Sequence, residues 1–267
     1  MVSRSKPEVG ATNCPPQIQA QLLLGQMHVD KGWFTDAFLY FEAAARSDHP
    51  AALNMLGRAY ERGWGVPRNP ERAALCFGKA ARLGDAWAMF NLADLLLLGD
   101  GVPKNRVQAY ELYVSSAEKG NVKALNMLGL LHEEGLSGCS DMEGAHLFYQ
   151  AAARGGDCWG ELNLARLALQ QQDRATAVSC FRRAMTTKNA DVLRAIIKLV
   201  LPYDDPALKC IASTAVRQVN EADGVNEVPL RDFSDVRARP IVAEGCGTWT
   251  SAPELLNDHR AELCASR

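Results

Sequence analysis

The sequence contains no apolar run long enough to cross a membrane. Its longest leucine-rich run, Leu95 to Leu98, is far shorter than the roughly 20 residues that a membrane-spanning helix needs. The N-terminal segment MVSRSKPEVGATNCPPQIQAQLLLG is polar and interrupted by prolines, and it lacks the apolar core of a signal peptide. These absences predict a cytoplasmic protein with no membrane span.

A surplus of basic charge is also missing. The chain of 267 residues has 29 Lys and Arg against 31 Asp and Glu, a formal net charge of −2. Proteins that bind the phosphate backbone of a nucleic acid usually carry a basic patch or surplus. The balanced charge argues against nucleic acid as a partner, while a hydrophobic content of 48% is sufficient for a folded core.

The cysteines lack the spacing of a metal or redox motif. No two of the eight cysteines form a CxxC unit, which argues against a structural zinc site. We therefore expect reduced thiols and no cofactor, with Cys76 and Cys180 as small hydrophobic core residues. Cys139 in a loop and Cys158 at a helix start are the candidates for exposed thiols, and their redox state stays open.

What the sequence does contain is a repeat with a period of 36 residues. One leucine recurs at this interval, each time followed by glycine or alanine, as Leu56, Leu92, Leu128 and Leu164. Alanine and glycine columns further along the unit keep the same interval. The chain is therefore predicted to be an array of one supersecondary unit.

Each unit is predicted to be two helices joined by a loop. Alanine and leucine favour helix, and the apolar spacing follows 3.6 residues rather than 2. Gly63 lies where the first helix must end, and Pro67 after it prevents the helix from continuing. Gly84 ends the second helix in the same way. The sequence thus predicts an all-α fold of stacked antiparallel helix pairs.

The repeat pattern A-x-x-x-L-G-x-x-Y…G-x-G-V…A…A-A-x-x-G resembles that of Sel1-like repeats, which are related to tetratricopeptide repeats. In the first unit it is carried by Ala52, Leu56, Gly57, Tyr60, Gly63, Gly65, Val66, Ala73, Ala80, Ala81 and Gly84. The third unit departs from it at Ser137-Gly138. The match covers residues 51–157 and implies a right-handed α-solenoid.

The segments on either side of these units are more divergent. Residues 17–221 are predicted to form the whole solenoid, of about five helix pairs, closed by an amphipathic last helix with Leu208 and Val219 on its apolar side. We expect residues 1–16 to be a flexible N-terminus and residues 222–267 an irregular tail. In that tail, Ser251 to Glu254 is a candidate cap for one short terminal helix.

One face of the first helices mixes charge, amide, methionine and tryptophan, which is not a core composition. Its candidate partner-binding residues, spaced for a single helical face, are Met55, Arg58, Arg62, Trp87, Asn91, Asp94, Lys123, Met127, Trp159, Asn163 and Arg166. Tryptophan and arginine are enriched in binding hot spots. In Sel1 arrays the first helices line the concave side, so the resemblance implies a groove for a protein segment. The alternative is that these side chains pack between neighbouring units.

The resemblance therefore implies a non-catalytic scaffold or adaptor whose partner is a protein or peptide. The sequence is also similar to bacterial cytoplasmic Sel1 proteins associated with iron uptake, which accompany an iron/2-oxoglutarate hydroxylase and a siderophore receptor. That similarity implies a partner in the same process, although no residue of this chain demonstrates a link to iron. The oligomeric state stays open.

An enzyme is the alternative from a different class. Ser116-Ala-Glu-Lys119 matches the S-x-x-K nucleophile motif of penicillin-binding enzymes, which suggests a hydrolase of β-lactam or cell-wall-like substrates. Ser116, however, shares its repeat column with Ala80, where a helix contact demands a small residue, and the chain has no SDN or KTG motif. His132 is not followed by the second histidine of H-E-x-x-H, so we expect a packing role for it and no metal site.

Overall fold

The computed structural model describes residues 14–136 and 139–223, and they are helical throughout apart from turns and loops. These residues form twelve α-helices, one short 3-10 helix (Met185–Thr187) and no strand. The α-helices are α1 (Pro16–Asp30), α2 (Phe34–Ala45), α3 (Pro50–Arg62), α4 (Pro70–Arg82), α5 (Ala86–Leu98), α6 (Arg106–Glu118), α7 (Val122–Glu134), α8 (Met142–Arg154), α9 (Cys158–Gln170), α10 (Arg174–Ala184), α11 (Ala190–Val200) and α12 (Pro206–Asp223).

Consecutive helices pack against each other as pairs, which confirms the predicted fold class. The chain divides into two compact units, Met1–Leu112 and Tyr113–Arg267, with the boundary inside α6. In the first unit α1 packs on α2 and α3 on α4, while the second unit pairs α7 with α8, α9 with α10 and α11 with α12. The expectations for a flexible N-terminus before residue 14, and for the tail and its terminal helix after residue 223, lie outside the described residues.

Side-chain caps begin several of the helices, and glycines end some of them. Asp85, Asn121 and Asp157 recur one repeat apart, and the side-chain oxygen of each accepts a hydrogen bond from a backbone N–H in the next helical turn. Gly63 ends α3 with a left-handed φ of 75°, as the sequence predicts. Glycine adopts this conformation without the steric penalty that a Cβ brings.

The second glycine of the G-x-G loop lets that loop touch the preceding helix pair. A Cβ on Gly65 would lie 2.5 Å from the backbone oxygen of Phe34, at the start of α2. One repeat later, a Cβ on Gly101 would lie 2.5 Å from the backbone nitrogen of Glu71 in α4. Since no side chain fits at either position, these glycines set the spacing of successive pairs as well as the turn.

In the pairs α3–α4 and α7–α8 the two helices approach closely because the first carries a glycine opposite a buried aromatic ring of the second. A Cβ on Gly57 would lie 2.5 Å from Cε1 of Phe77, and one on Gly129 would lie 2.6 Å from Cε1 of Tyr149. Both rings are fully buried. The small-residue column of the repeat is therefore the place where the backbone of one helix contacts the ring of its partner.

The described cysteines are unpaired, and most of them behave as predicted. Cys180 is buried in the core of the second unit, Cys76 is half-buried and Cys139 is exposed. Cys158, a candidate for exposure, is instead buried, because the start of α9 packs into the same core as Cys180. Burial raises the pKa of the Cys158 and Cys180 thiols, so both remain protonated and act as hydrophobic residues.

Gly129→Ala should lower the free energy of unfolding by about 1–3 kcal/mol, because the buried ring of Tyr149 has no space into which to move. Gly78→Ala is the matched control, since a Cβ there meets only the guanidinium of Arg82 at 3.6 Å. That control should raise stability by about 0.5–1 kcal/mol through helix propensity. Urea unfolding followed by circular dichroism measures both changes. A Gly129→Ala protein as stable as the parent would contradict the close helix approach.

Candidate interaction surface

Three of the predicted contact residues lie along α3 in the first unit. Met55 and Arg58 are half-buried and Arg62 is exposed. Nη1 of Arg58 lies 3.7 Å from Sδ of Met55, and the guanidinium lies 5.2 Å from the centroid of the Trp64 ring. Trp64 in turn stacks on Phe34, with 6.5 Å between the ring centroids. The contact residues of α3 therefore adjoin two aromatic residues, Trp64 and Phe34. The repeat pattern did not identify these two as contact residues, because neither lies on the repeated face of the first helices.

The predicted residues of α5 divide into one exposed and two buried side chains. Trp87 is 37% exposed, and its ring meets that of Phe90 edge-on at 6.1 Å. Asn91 and Asp94 are buried. Nδ2 of Asn91 donates a hydrogen bond of 2.9 Å to Oδ1 of Asn54 in α3. Asn91 therefore joins two neighbouring first helices, and Trp87 is the α5 residue of this set that faces solvent.

The same amide bond occurs again in the second unit. Nδ2 of Asn163 in α9 donates to Oδ1 of Asn126 in α7, also at 2.9 Å. Asn54 and Asn126 lie two repeats apart in the sequence, and so do Asn91 and Asn163. This recurrence of both asparagines at the same spacing is the sequence signal that could have identified the two pairs. Asn163 is thus hydrogen-bonded to the neighbouring first helix, which is the kind of packing between repeats that the alternative interpretation expects.

Arg166 is the centre of a polar cluster that links three helices of the second unit. Its guanidinium donates to both carboxylate oxygens of Glu133, at 2.8 and 2.5 Å, and the Tyr149 hydroxyl donates to the same carboxylate at 2.8 Å. Burial alone would raise the pKa of Glu133, but the hydrogen bonds from Arg166 and Tyr149 outweigh it and lower that pKa. The Tyr149 pKa is raised by burial and by the adjacent carboxylate.

Removing one member of this cluster should be costly. Arg166→Ala should lower the free energy of unfolding by about 1–3 kcal/mol, because Glu133 and Tyr149 lose a half-buried, charged hydrogen-bond partner. In a double-mutant cycle, Glu133→Gln combined with Arg166→Ala should cost less than the sum of the two single changes by about 1 kcal/mol or more. Denaturant unfolding at neutral pH provides all four values. Additive losses would contradict an energetic coupling between Arg166 and Glu133.

Asp157 caps α9 next to two further predicted residues, Lys123 and Trp159. Its carboxylate accepts the backbone N–H of Gly160 at 2.9 Å. Burial raises the pKa of Asp157 to about 6, although this hydrogen bond and the charge of Lys123 oppose the shift. Trp159 packs partly buried against the core of the second unit, while Lys123 and Met127 are half-buried.

The raised pKa of Asp157 predicts a pH-dependent effect. Because the folded pKa of about 6 exceeds the unfolded value of about 3.9, the carboxylate reduces stability above pH 6, and protonation relieves this as the pH falls. Asp157→Asn should therefore stabilise the protein by about 1–3 kcal/mol at pH 7.5 and have little effect at pH 4. Asn121 is a natural precedent, since it caps α7 at the same repeat position. Thermal unfolding across this pH range tests the prediction, and a pH-independent difference would contradict it.

The position of Ser116 does not suit the hydrolase alternative. Its side chain is fully buried, and its Oγ accepts a hydrogen bond of 3.1 Å from Nδ2 of Asn121. Lys119 is exposed beyond the end of α6. A nucleophile must reach the substrate, and Ser116 instead occupies the small-residue column where two helices meet, as its repeat position predicts.

His132 takes the packing position expected of it. Its ring lies against Phe148, with 4.9 Å between ring centroids, and Nδ1 is 2.8 Å from Oδ2 of Asp141, the residue that caps α8. Within residues 14–136 and 139–223, no three His, Cys, Asp or Glu side chains are arranged to hold a metal ion. No helix of the described part of the chain is long and apolar enough to span a membrane.

A shallow groove lies between α10 and α12 in the second unit. Met185 and Ile211 contribute its apolar lining and Arg182 and Gln218 are among its polar residues. Its volume of about 220 Å³ is below the roughly 300–1,000 Å³ of small-molecule sites. The groove is therefore a poor binding site for a small organic substrate.

Three segments of the chain, residues 50–85, 88–121 and 122–157, match the family model of the Sel1 repeat. The resemblance seen in the sequence is therefore confirmed. Human protein sel-1 homolog 2 is 36% identical over 97 residues, a match that covers 36% of this chain and 14% of that protein. The chain thus spans about one seventh of the length of this curated relative.

Solved structures confirm the helical-repeat fold. A Sel1 repeat protein from Oxalobacter formigenes superposes with a TM-score of 0.63 at 23% identity, covering 75% of this chain and 87% of that one. The immunity protein Pa5087 from Pseudomonas aeruginosa gives a TM-score of 0.58 at 16% identity, covering 85% and 90%. At these identities the likeness concerns the fold alone.

Proposed function

We propose that this chain, which contains three Sel1 repeats between residues 50 and 157, is a non-catalytic scaffold that binds a segment of a partner protein along its first helices. Sel1 repeat arrays are typical of protein–protein interaction scaffolds. Stacked helix pairs offer extended surfaces, which suit peptides and helices better than small substrates. The first helices line the concave side in such arrays, and that is where we place the partner.

The observation that carries this proposal is the exposure of Trp87 on the predicted stripe. A tryptophan with more than a third of its surface in solvent retains much apolar area that a partner can cover. Truncation of such an aromatic anchor at an interface often costs 2 kcal/mol or more. On the neighbouring helix α3 of the same unit, Met55, Arg58 and Arg62 supply further contact groups of the types expected beside it.

The remaining predicted residues receive different roles in this proposal. Lys123 and Met127 on α7, both half-buried, are proposed contacts in the second unit. Asn91, Asn163 and Arg166 are proposed to support the surface by holding neighbouring first helices together, since their polar groups already have partners. The buried Asp94 and the half-buried, core-packed Trp159 belong with this supporting set.

Trp87→Ala should reduce partner binding by about 30-fold, the effect of losing about 2 kcal/mol. Leu75→Ala is the matched control, because Leu75 is an exposed apolar residue on α4, outside the stripe. Affinity capture from the native lysate with quantitative mass spectrometry compares the parent and both variants, with circular dichroism to verify folding. The proposal expects a protein that the parent and Leu75→Ala retain and Trp87→Ala loses.

Two outcomes would contradict the proposal. An equal set of proteins on all three baits would remove Trp87 from the binding surface, and no captured protein with any bait would remove the scaffold function itself. The identity of the captured protein also tests the proposed link to iron uptake. Capture of a component of iron uptake from iron-limited bacteria would support that link, and an unrelated partner would end it.

A further inference from the structure

The groove between α10 and α12 exists because α12 packs chiefly on α11 and touches α10 at only a few positions. From α12 it is lined by Cys210, Ile211, Thr214 and Gln218. This spacing follows one face of the helix, so the groove runs along α12 toward the helix end at Asp223. Both helices are the second of their pair, and the groove is therefore separate from the first-helix surface proposed for the partner.

Two polar groups of the groove have no partner among the described residues. Oε1 of Gln218 is buried, and no donor in the described part of the chain hydrogen-bonds to it. Arg182 on the opposite wall is exposed and forms no ion pair there, whereas Nε of the adjacent Arg183 lies 2.6 Å from Oε1 of Glu161. Because a buried acceptor without a donor is costly, the groove suits a segment that brings a backbone N–H and a carboxylate.

The sequence directly after α12 contains groups of these kinds. Residues 225–233 read VNEVPLRDF, and we call them the return segment. Its central proline favours an extended backbone. In an extended chain every second side chain lies on the same face, and Val228, Leu230 and Asp232 form such a set. Two apolar side chains followed by a carboxylate complement a groove whose apolar lining is followed by Arg182.

The return segment is also long enough to follow the groove. A helix rises about 1.5 Å per residue, so the distance along α12 from Asp223 back to Cys210 is about 20 Å. An extended chain advances about 3.3 Å per residue and covers that distance in about six residues. Gly224, the first residue after α12, is the residue type that most readily ends a helix and reverses the chain.

We propose that the return segment docks in the groove between α10 and α12 and closes the last described helix pair. The two helices run in the same direction, since Arg174 at the start of α10 lies 3.9 Å from Asp205, just before α12. A chain that turns back after α12 therefore meets Gln218 first and Arg182 later. In this register a backbone N–H of the segment donates to the Gln218 oxygen, and Asp232 pairs with Arg182.

The proposed contacts place the apolar side chains of the return segment over the apolar lining. Leu230 covers Met185 and Ile211, which lie between the two polar groups of the groove. Repeat arrays need a terminal unit whose outer surface does not continue the stack. The docked segment supplies that closure from the chain itself, and it leaves the first helices accessible to a partner.

The test is the alkylation rate of individual cysteines in the full-length protein, followed by peptide mass spectrometry. Cys210 lies in the groove and Cys139 is an exposed thiol elsewhere in the chain. Val228→Asn/Leu230→Asn should raise the alkylation rate of Cys210 at least about tenfold, because the groove would lose its cover. The rate of Cys139 should not change. Leu255→Asn/Leu256→Asn, the same change later in the chain, is the matched control and should leave both rates unchanged.

A charge exchange tests the register of the contact. Arg182→Glu and Asp232→Arg should each accelerate the alkylation of Cys210, and the combined variant should restore the slow rate of the parent. The buried Cys180 should remain unreactive in every variant, which establishes that the core is intact.

Three results would overturn the proposal. The first is an equal Cys210 rate in the parent and in Val228→Asn/Leu230→Asn. The second is an acceleration of the same size in the Leu255→Asn/Leu256→Asn control, because it would assign the cover to a later part of the chain. The third is a combined charge-exchange variant that reacts as fast as its two single variants, since Asp232 would then have no contact with Arg182.

Discussion

The distance between the two helices of each pair is the constraint on which the rest of the structure depends. In the pairs α3–α4 and α7–α8 it is set by backbone-to-ring contact, since a buried aromatic side chain of the second helix occupies the space that a Cβ on the first would need. Gly57 with Phe77 and Gly129 with Tyr149 show the arrangement in the two units. Once this distance is fixed, the loops, the caps and the stacking columns can recur at one period. Ser116, in the separate small-residue column that contains Ala80, is likewise fully buried.

A second set of contacts joins successive pairs, and it uses polar groups. Asn54 with Asn91, and Asn126 with Asn163, connect neighbouring first helices through buried or half-buried amides. Glu133 and Arg166 add a charged link, with Tyr149 as a third member. Amide and ion pairs of this kind fix the register between helices, because an unpaired polar group would be costly there. The first helices thus carry structural polar residues beside exposed ones, such as Trp87, that we propose for recognition.

Periodicity in the sequence predicts the helices and loops well, and it predicts the side-chain contacts between successive repeats poorly. The helix ends at Gly63 and Gly84, the helix pairs, the burial of Cys180 and the packing role of His132 all follow from local rules and repeat alignment. The partners of Asn91 and Arg166 do not follow from these rules. The position of a residue in the repeat shows which helical face it occupies, but it does not show which side chain of the next repeat it contacts. Burial of Asp157 and Cys158 depends on the packing of the start of α9, which no local pattern encodes.

The account therefore separates exposed recognition residues from buried linking residues on the same helices. Hydrogen–deuterium exchange of the parent protein with and without its captured partner tests that separation most directly. The account predicts slower exchange on binding in α3 and α5, around Arg58 and Trp87, with no change on the outer face of α4 around Leu75. Protection confined to α4, or to other second helices, would contradict the claim that the first helices hold the partner.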